Sequence, residues 1–161
     1  YNGADDRVAV RAGDLRDPSL LPEGAVFDLV TGTPPYLPRG TGVESERVQC
    51  GPCRFEFRGG VEAYCEAAAR ALGPDGVFCL CEGSASVERV FAASAELGLS
   101  VFAWQAVVGR EGKPPLFHLF ALRRGAGLPR PAALPPLNVR NARHERGPEY
   151  LAIRTRLGLP P

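Results

Sequence analysis

The spacing of hydrophobic residues along the chain predicts an alternation of strands and helices. Short apolar runs at residues 27–30 and 77–81 predict buried strands, because each is rich in strand-forming residues and bounded by turn residues. Between them, apolar residues recur at i, i+3, i+4, i+7 and i+11 from Val61, the spacing of one helix face. A second helix is predicted at residues 87–97, closed by Gly98.

Further elements are predicted on both sides of this central pattern. Residues 7–11 alternate between apolar and polar, which predicts a strand. Residues 100–108 and 116–122 are two predicted strands with no helix between them, so they favour an antiparallel hairpin. Residues 137–140 are strand-like, and a short helix is predicted at 148–157 with proline in its first turn.

The order of these elements predicts an α/β fold. Strands that alternate with helices form a mostly parallel, Rossmann-like sheet with right-handed crossovers, and the closing hairpin predicts an antiparallel edge. The chain has 161 residues, the length of one domain. We place that domain at residues 1–124. Residues 125–161 begin with a linker rich in proline and glycine and continue as a short C-terminal extension.

Composition narrows the class of protein only a little. Apolar residues make up 45% and charged residues 23%, which is typical of a globular domain, and the net charge of +1 gives no overall basic field. Of the 19 basic residues only Lys113 is not arginine, which a GC-rich genome or selection for phosphate contacts would explain.

No apolar run is long enough to cross a membrane and no leader pattern is present, so we expect a cytoplasmic protein. The chain contains no methionine, so we expect that an N-terminal part, including any organelle-targeting segment, is missing.

One segment, residues 33–36, carries most of the chemical information. Its sequence is Thr-Pro-Pro-Tyr, and only Thr31 and Gly32 separate it from the predicted strand at 27–30. The two prolines fix two φ angles and remove two N–H donors, so neither a helix nor a strand ladder continues through them. The turn therefore lies at the carboxyl end of a strand, where α/β sheets bind ligands. A strand that merely ends at two prolines is the other interpretation of the same residues.

Residues 33–36 resemble the Asn-Pro-Pro-Tyr signature of class I, Rossmann-like methyltransferases that use S-adenosylmethionine (SAM) to methylate amino groups. Residues 13–15 (Gly-Asp-Leu) and 73–76 (Gly-Pro-Asp-Gly) are similar to the segments around that signature. Residues 137–140 and 147–150 resemble the tail of bacterial tRNA adenine methyltransferases that modify the position beside the valine anticodon. The resemblance implies that the first strands, with the glycine-rich cofactor loop and the ribose-binding acid, are absent from this sequence, so the chain alone would bind SAM poorly.

The resemblance assigns a catalytic role to each residue of the turn. The Thr33 hydroxyl and the Pro34 carbonyl would accept the hydrogens of the substrate amine, which frees a nitrogen lone pair otherwise delocalised into the ring. Pro35 keeps the turn rigid, and Tyr36 would stack on an extruded base. Catalysis would then rest on positioning and polarisation rather than on a covalent intermediate. The family usually has Asn or Asp where Thr33 stands, so the enzyme works with a hydroxyl, prefers another amine, or is weakened.

The resemblance also implies which residues contact the cofactor. Asp14, Leu15 and Thr33 would face SAM, with the Asp14 carboxylate accepting a hydrogen bond from the adenine amine of the cofactor. A turn or capping aspartate close to Pro18 is the other interpretation of Asp14.

Basic residues on two predicted loops indicate a surface for RNA, with tRNA as the expected partner. Residues 37–59 are polar and aperiodic and predict a long loop, and Lys113 lies on a later turn. We expect Tyr36, Arg39, Arg58 and Lys113 to contact the substrate, through phosphate contacts and stacking. A solvated loop whose phenylalanines pack on the core is equally compatible with the pattern. The loop also contains Arg47, Arg54, Phe55 and Phe57.

The five cysteines do not favour a redox or metal site. Cys50 and Cys53 have the spacing of the thioredoxin dithiol, but they lie within a predicted loop instead of at a strand-to-helix junction. The two histidines are too far along the chain to complete a metal site with them. We interpret the other three cysteines, Cys65, Cys79 and Cys81, as small core residues.

The sequence thus predicts a SAM-dependent methyltransferase that acts on an exocyclic amine, with adenine in tRNA as the first candidate. A protein glutamine or a small-molecule amine is an alternative substrate. A non-catalytic RNA-binding module of the same fold is an alternative of another class.

Overall fold

The fold is one five-stranded sheet with two helices packed on one face. The computed structural model describes residue 3 and residues 6–41, 50–125 and 131–160. The strands are β1 (Phe27–Gly32), β2 (Leu72–Gly83), β3 (Leu99–Val108), β4 (Phe117–Arg124) and β5 (Ala132–Asn138). The helices are α1 (Cys50–Arg54), α2 (Val61–Ala71), α3 (Val87–Glu96) and α4 (Pro148–Arg156), and a short 3-10 turn spans Pro18–Leu20.

The strand order confirms a Rossmann-like α/β fold. The sheet runs β1-β2-β4-β3-β5, with β1 parallel to β2 and β3 parallel to β5. β4 is antiparallel to both of its neighbours, so four of the five strands in the described residues point the same way. The predicted β3–β4 hairpin is present. It is not the edge of the sheet, because β4 inserts between β2 and β3, and β5 pairs with the outer side of β3.

Two of the predicted strands differ from the structure. Residues 7–11 are not a strand, because they have no ladder partner among the described residues, and Val10 is 89% exposed. The strand predicted at residues 137–140 begins earlier, as β5, and runs through Pro135 and Pro136. Prolines are tolerated there because β5 is an edge strand and because its pairing with β3 changes register across these two residues, between the pairs Gln105–Leu134 and Val107–Leu137.

The predicted loop at residues 37–59 contains a helix that the sequence did not predict. α1 has five residues, which is too short for a hydrophobic period to appear. Cys50 and Cys53 therefore lie in one turn of helix. Arg47 and the part of the predicted linker at residues 126–130 lie outside the described residues.

The core lies between the sheet and α2 and α3. Phe78 and Leu80 of β2, and Phe120 and Leu122 of β4, are almost fully buried against these helices. Cys65 of α2 is also buried, as predicted. Successive strand residues point to opposite faces, so the residues between these four lie on the other side of the sheet. We call that surface the open face.

The open face is apolar but exposed. Leu29 of β1 is 60% exposed and Leu119 of β4 is 39% exposed, and Cys79 is exposed as well. The expectation that the run at residues 27–30 is buried is therefore wrong for most of its residues, because β1 is an edge strand and only Val30 packs against the core. The prediction of Cys79 as a core residue is also wrong, because β2 is a central strand but the Cys79 side chain lies on the open face. Among the described helices, none is long and apolar enough to cross a membrane.

Candidate functional site

The turn at residues 33–36 lies where three strands end together. β1, β2 and β3 run in the same direction, so their carboxyl ends, at Gly32, Gly83 and Val108, share one edge of the sheet. The Ser84 hydroxyl donates a hydrogen bond to the Pro115 carbonyl at 3.0 Å, which joins the end of β2 to the β3–β4 turn. This edge is where a ligand of an α/β sheet is expected.

Tyr36 is held against the end of β2. Its hydroxyl lies 3.1 Å from the Cys81 sulfur, within hydrogen-bond distance. A Cβ on Gly83 would lie 3.2 Å from the Cβ of Tyr36, so glycine allows the tyrosine to approach the strand closely. Burial and the contact with Cys81 raise the pKa of Tyr36 above its usual value, so the phenol stays neutral. The Tyr36 side chain is therefore held near its hydroxyl by Cys81 and near its Cβ by Gly83.

The side chains of the turn face two different cavities. Thr33 lines a cavity of about 360 Å³ on the open face, together with Cys81 and Leu119. Pro34 is buried. Pro35 lines a cavity of about 270 Å³ on the other side of the turn. The turn therefore separates two spaces, and Tyr36, through Cys81, contacts the wall of the first.

The smaller cavity brings together residues predicted from three separate segments. Asp14, Leu15, Pro35 and Arg58 all line it, and Tyr64 of α2 completes one wall. Leu15 and Tyr64 also line a larger cavity of about 550 Å³ beside α2. The structure thus places the predicted cofactor residues Asp14 and Leu15 next to the prolines of the turn.

Asp14 is already engaged by Arg16. The Arg16 guanidinium donates to the two carboxylate oxygens at 2.9 and 2.6 Å, and its backbone N–H donates at 3.0 Å. These hydrogen bonds hold the pKa of Asp14 well below its usual range. A carboxylate offers about four acceptor positions. Three are used here, so Asp14 retains one for the amine of a bound cofactor, and in this respect it fits SAM.

The predicted basic contacts are only partly brought together. Arg39 donates to the Phe57 carbonyl and lies over the Phe57 ring, 5.3 Å from its centre. Phe55 is fully buried and stacks on Phe57, so it packs on the core and is not available to stack on a base. Arg58 lines the cavity with Asp14. Lys113 is exposed on the β3–β4 turn, at the same edge but apart from these residues.

Glu82 is a buried residue of the site that the sequence analysis missed. It is 1% exposed and lies at the carboxyl end of β2, between the two residues that contact Tyr36. Its Oε1 accepts a hydrogen bond from the Gly83 N–H at 2.8 Å, and its Oε2 has no partner among the described residues. Burial raises the pKa of this carboxyl to about 7. A charged residue directly after the apolar run at residues 77–81 was the signal that could have revealed it.

The other polar residues near this edge act in packing. His118 is buried, and its ring lies tilted against Trp104 with 5.3 Å between ring centres, as expected for a packed histidine. Burial lowers its pKa, so the imidazole is neutral. Cys53 is exposed, and the described residues contain no group of three side chains that could hold a metal ion.

Sequence comparison with known proteins gives a match over part of this chain. No protein-family model matches the chain. A stretch of 60 residues, 36% of this chain, is 43% identical to release factor glutamine methyltransferase from Mycolicibacterium smegmatis, and it covers 21% of that protein. The chain thus spans about a fifth of the length of this relative.

Comparison with solved structures supports the fold through one superposition. The crystal structure of a predicted O-methyltransferase from Agrobacterium tumefaciens superposes with a TM-score of 0.57 and 17% identity, over 80% of this chain and 51% of that one. The M1.HpyAVI–SAM complex aligns with a TM-score of only 0.42 and 14% identity, over 83% of this chain and 66% of that one. The TM-score of 0.57 shows that this chain shares the fold of the Agrobacterium tumefaciens protein over about half of that protein's length.

Proposed function

We propose that this chain forms part of a SAM-dependent methyltransferase that methylates a planar nitrogen, with residues 33–36 as its acceptor site. The observation that supports this most strongly is the rigid Pro-Pro-Tyr turn at the carboxyl end of β1, with Tyr36 fixed by Cys81 and Gly83. A turn that only ended a strand would not need a tyrosine held at both ends. The SAM-binding and catalytic roles of these residues are part of the proposal.

The residues of the turn suit a nitrogen whose lone pair is delocalised. The Thr33 hydroxyl and the Pro34 carbonyl can accept hydrogen bonds from the two N–H groups, and this favours a pyramidal nitrogen with a free lone pair. When bound, SAM supplies a methyl group on a positively charged sulfur. The nitrogen that takes this methyl group would release one proton to solvent, and the donor would leave as a neutral thioether. Asp14 and Leu15 would hold the cofactor beside Pro35.

The first substrate that we propose is adenine in tRNA. The tail that resembles tRNA adenine methyltransferases contains the end of β5 and the start of α4, and its Arg140 carbonyl accepts a hydrogen bond from the Glu111 N–H of the β3–β4 turn at 2.9 Å. Arg58 and Lys113 are exposed, in keeping with contacts to phosphates. Tyr36 would stack on the base, and Arg39 would contribute from its place on Phe57.

The second substrate is a protein glutamine. The sequence match to release factor glutamine methyltransferase favours it, because that relative is named for methylation of an amide nitrogen. A glutamine amide has the same two N–H groups and the same delocalised lone pair as the adenine amine. The turn would therefore act on it in the same way.

The test measures methyl transfer by the full-length protein from radiolabelled SAM to tRNA and, separately, to a protein extract. Tyr36→Ala is compared with Phe102→Ala, a change in a half-buried aromatic residue of β3 that lies against Arg123, outside the proposed site. Stacking on a base contributes about 1–3 kcal/mol, so Tyr36→Ala should lower transfer roughly 10- to 100-fold while Phe102→Ala does not.

Label in tRNA would support adenine, and label only in protein would support glutamine. Equal transfer by Tyr36→Ala and the unchanged protein would contradict the proposed site. Absence of transfer to every acceptor would contradict the proposed function.

A further inference from the structure

A second charged cluster lies behind the turn at residues 33–36. Arg89 of α3 binds two carboxylates at once, each through two hydrogen bonds. Its Nη1 and Nη2 donate to Glu56 at 2.7 and 3.1 Å. Its Nε and Nη2 donate to Glu62 at 2.8 and 2.7 Å. Paired, charge-assisted hydrogen bonds of this kind fix direction as well as distance.

Only one of these two carboxylates is connected to the turn. Glu56 lies just after α1, and its backbone N–H donates to the Leu37 carbonyl at 2.9 Å. The Leu37 N–H in turn donates to the Arg54 carbonyl at 3.0 Å. Leu37 is the residue after Tyr36, so the position of Glu56 is transmitted to the turn through one backbone hydrogen bond, and a second one joins the turn to Arg54. Glu62 lies on the first turn of α2 and makes no such link in the described residues.

Gly60, the residue before α2, lies close to the ion pair between Arg89 and Glu56. A Cβ on Gly60 would lie 2.6 Å from the Glu56 carboxyl carbon and 2.8 Å from the Arg89 Nη2 atom. Those distances are shorter than normal Cβ contacts, so a side chain at position 60 would displace the ends of the Glu56 and Arg89 side chains from this geometry. The Glu56 side chain is only 14% exposed, so water screens its ion pair with Arg89 less than it would screen a fully exposed pair.

We propose that Arg89, through Glu56 and Leu37, is a positioning residue that fixes the acceptor turn relative to the helical face of the sheet. The inference rests on the proposed function for the identity of the turn. It adds that the turn is set from α3, an element that contributes no side chain to either cavity beside it. Glu62 then acts on Arg89 alone and not on the turn.

The experiment compares Glu56→Gln with Glu62→Gln. Each variant removes the charge of one of the two carboxylates bound to Arg89, but only Glu56 is linked to Leu37. We expect Glu56→Gln to lower kcat/KM for the nitrogen substrate about tenfold, because small displacements of reacting groups cost up to about 100-fold. KM for SAM should not change, and Glu62→Gln should stay within twofold of the unchanged protein. Arg89→Lys keeps the cation but loses the paired geometry, so it should resemble Glu56→Gln.

A second readout does not depend on activity. Hydrogen exchange of the Leu37 and Glu56 amides should be faster in Glu56→Gln than in the unchanged protein, and it should be unchanged in Glu62→Gln. Equal exchange and equal kinetics in the two glutamine variants would overturn the proposal. If no protein transfers methyl groups, the proposed function fails, and the exchange rates still decide whether Arg89 positions the turn.

Discussion

The two faces of the sheet have similar compositions and very different environments. On the face covered by α2 and α3, Leu80 is 1% exposed and packs in a continuous core. On the open face, Leu119 of the neighbouring strand is 39% exposed. Both leucines lie on central strands, only one residue out of register with each other. The difference shows that apolar sequence alone does not indicate which face of a strand is covered.

The proposed site lies at the boundary between these two faces. Thr33 and Cys81 face the open side, whereas Glu82 points into the covered side. The covered side supplies rigidity, because its residues are packed and its carboxylates are held by Arg89. The open side supplies accessible hydroxyl and thiol groups. A turn that must hold a substrate and remain accessible benefits from both.

The largest expected difference between the faces is in stability. Leu80→Ala removes a side chain from the core and should lower the free energy of unfolding by about 2–5 kcal/mol. Leu119→Ala makes the same change on the open face and should cost about 1 kcal/mol or less, because little area is lost from the core. Denaturant unfolding of this chain would measure both values. Similar losses in the two variants would mean that the open face is packed after all.

A second prediction concerns the charge within the covered face. Burial raises the pKa of Glu82 to about 7, and Arg89, Glu56 and Glu62 are the charged groups that act on it. An acid whose pKa is raised on folding makes its full contribution to the free energy of unfolding below its unfolded pKa. That contribution is lost as the pH rises through the folded pKa. Glu82→Gln should therefore leave stability nearly unchanged at pH 5. At pH 8 to 9 it should be more stable than the unchanged chain by on the order of 3 kcal/mol.

Glu62→Gln is the matched control for this pH dependence. Arg89 lowers the pKa of Glu62, so removing that carboxyl should reduce stability above the unfolded pKa. Between pH 5 and pH 8, Glu82→Gln should therefore gain stability relative to the unchanged chain, whereas Glu62→Gln should stay less stable than the unchanged chain by a nearly constant amount. A Glu82→Gln variant whose stability relative to the unchanged chain did not depend on pH would show that this carboxyl titrates normally.

Much of the fold could be predicted because local periodicity determines it. α2 and α3 were visible from their helical spacing, and the β3–β4 hairpin from the absence of a helix between its strands. The place of β4 between β2 and β3 could not be predicted, because strand order depends on pairing between distant segments. The exposure of β1 could not be predicted either, since it depends on what covers the strand.

The candidate site could also be predicted only where its residues are contiguous, and not where it depends on contacts between distant residues. The Pro-Pro-Tyr turn was visible because it is contiguous, and the resemblance of Asp14 and Leu15 to a known segment placed them beside it. The links from Tyr36 to Cys81 and from Arg89 to Glu56 join residues 33 to 45 positions apart. No spacing in the sequence indicates such contacts. Arg89 in particular has the pattern of an ordinary solvent-facing helix residue.

The most direct test of the account is the removal of the Thr33 hydroxyl in the full-length protein. Thr33→Val keeps the shape of the side chain and removes the acceptor, and Thr31→Val makes the same change two residues earlier on the same cavity wall. We predict that Thr33→Val lowers kcat for methyl transfer about 100-fold, the effect of losing one polarising hydrogen bond, while Thr31→Val does not. Equal kcat values for the Thr33→Val and Thr31→Val variants would contradict the assignment of residues 33–36 as the acceptor site.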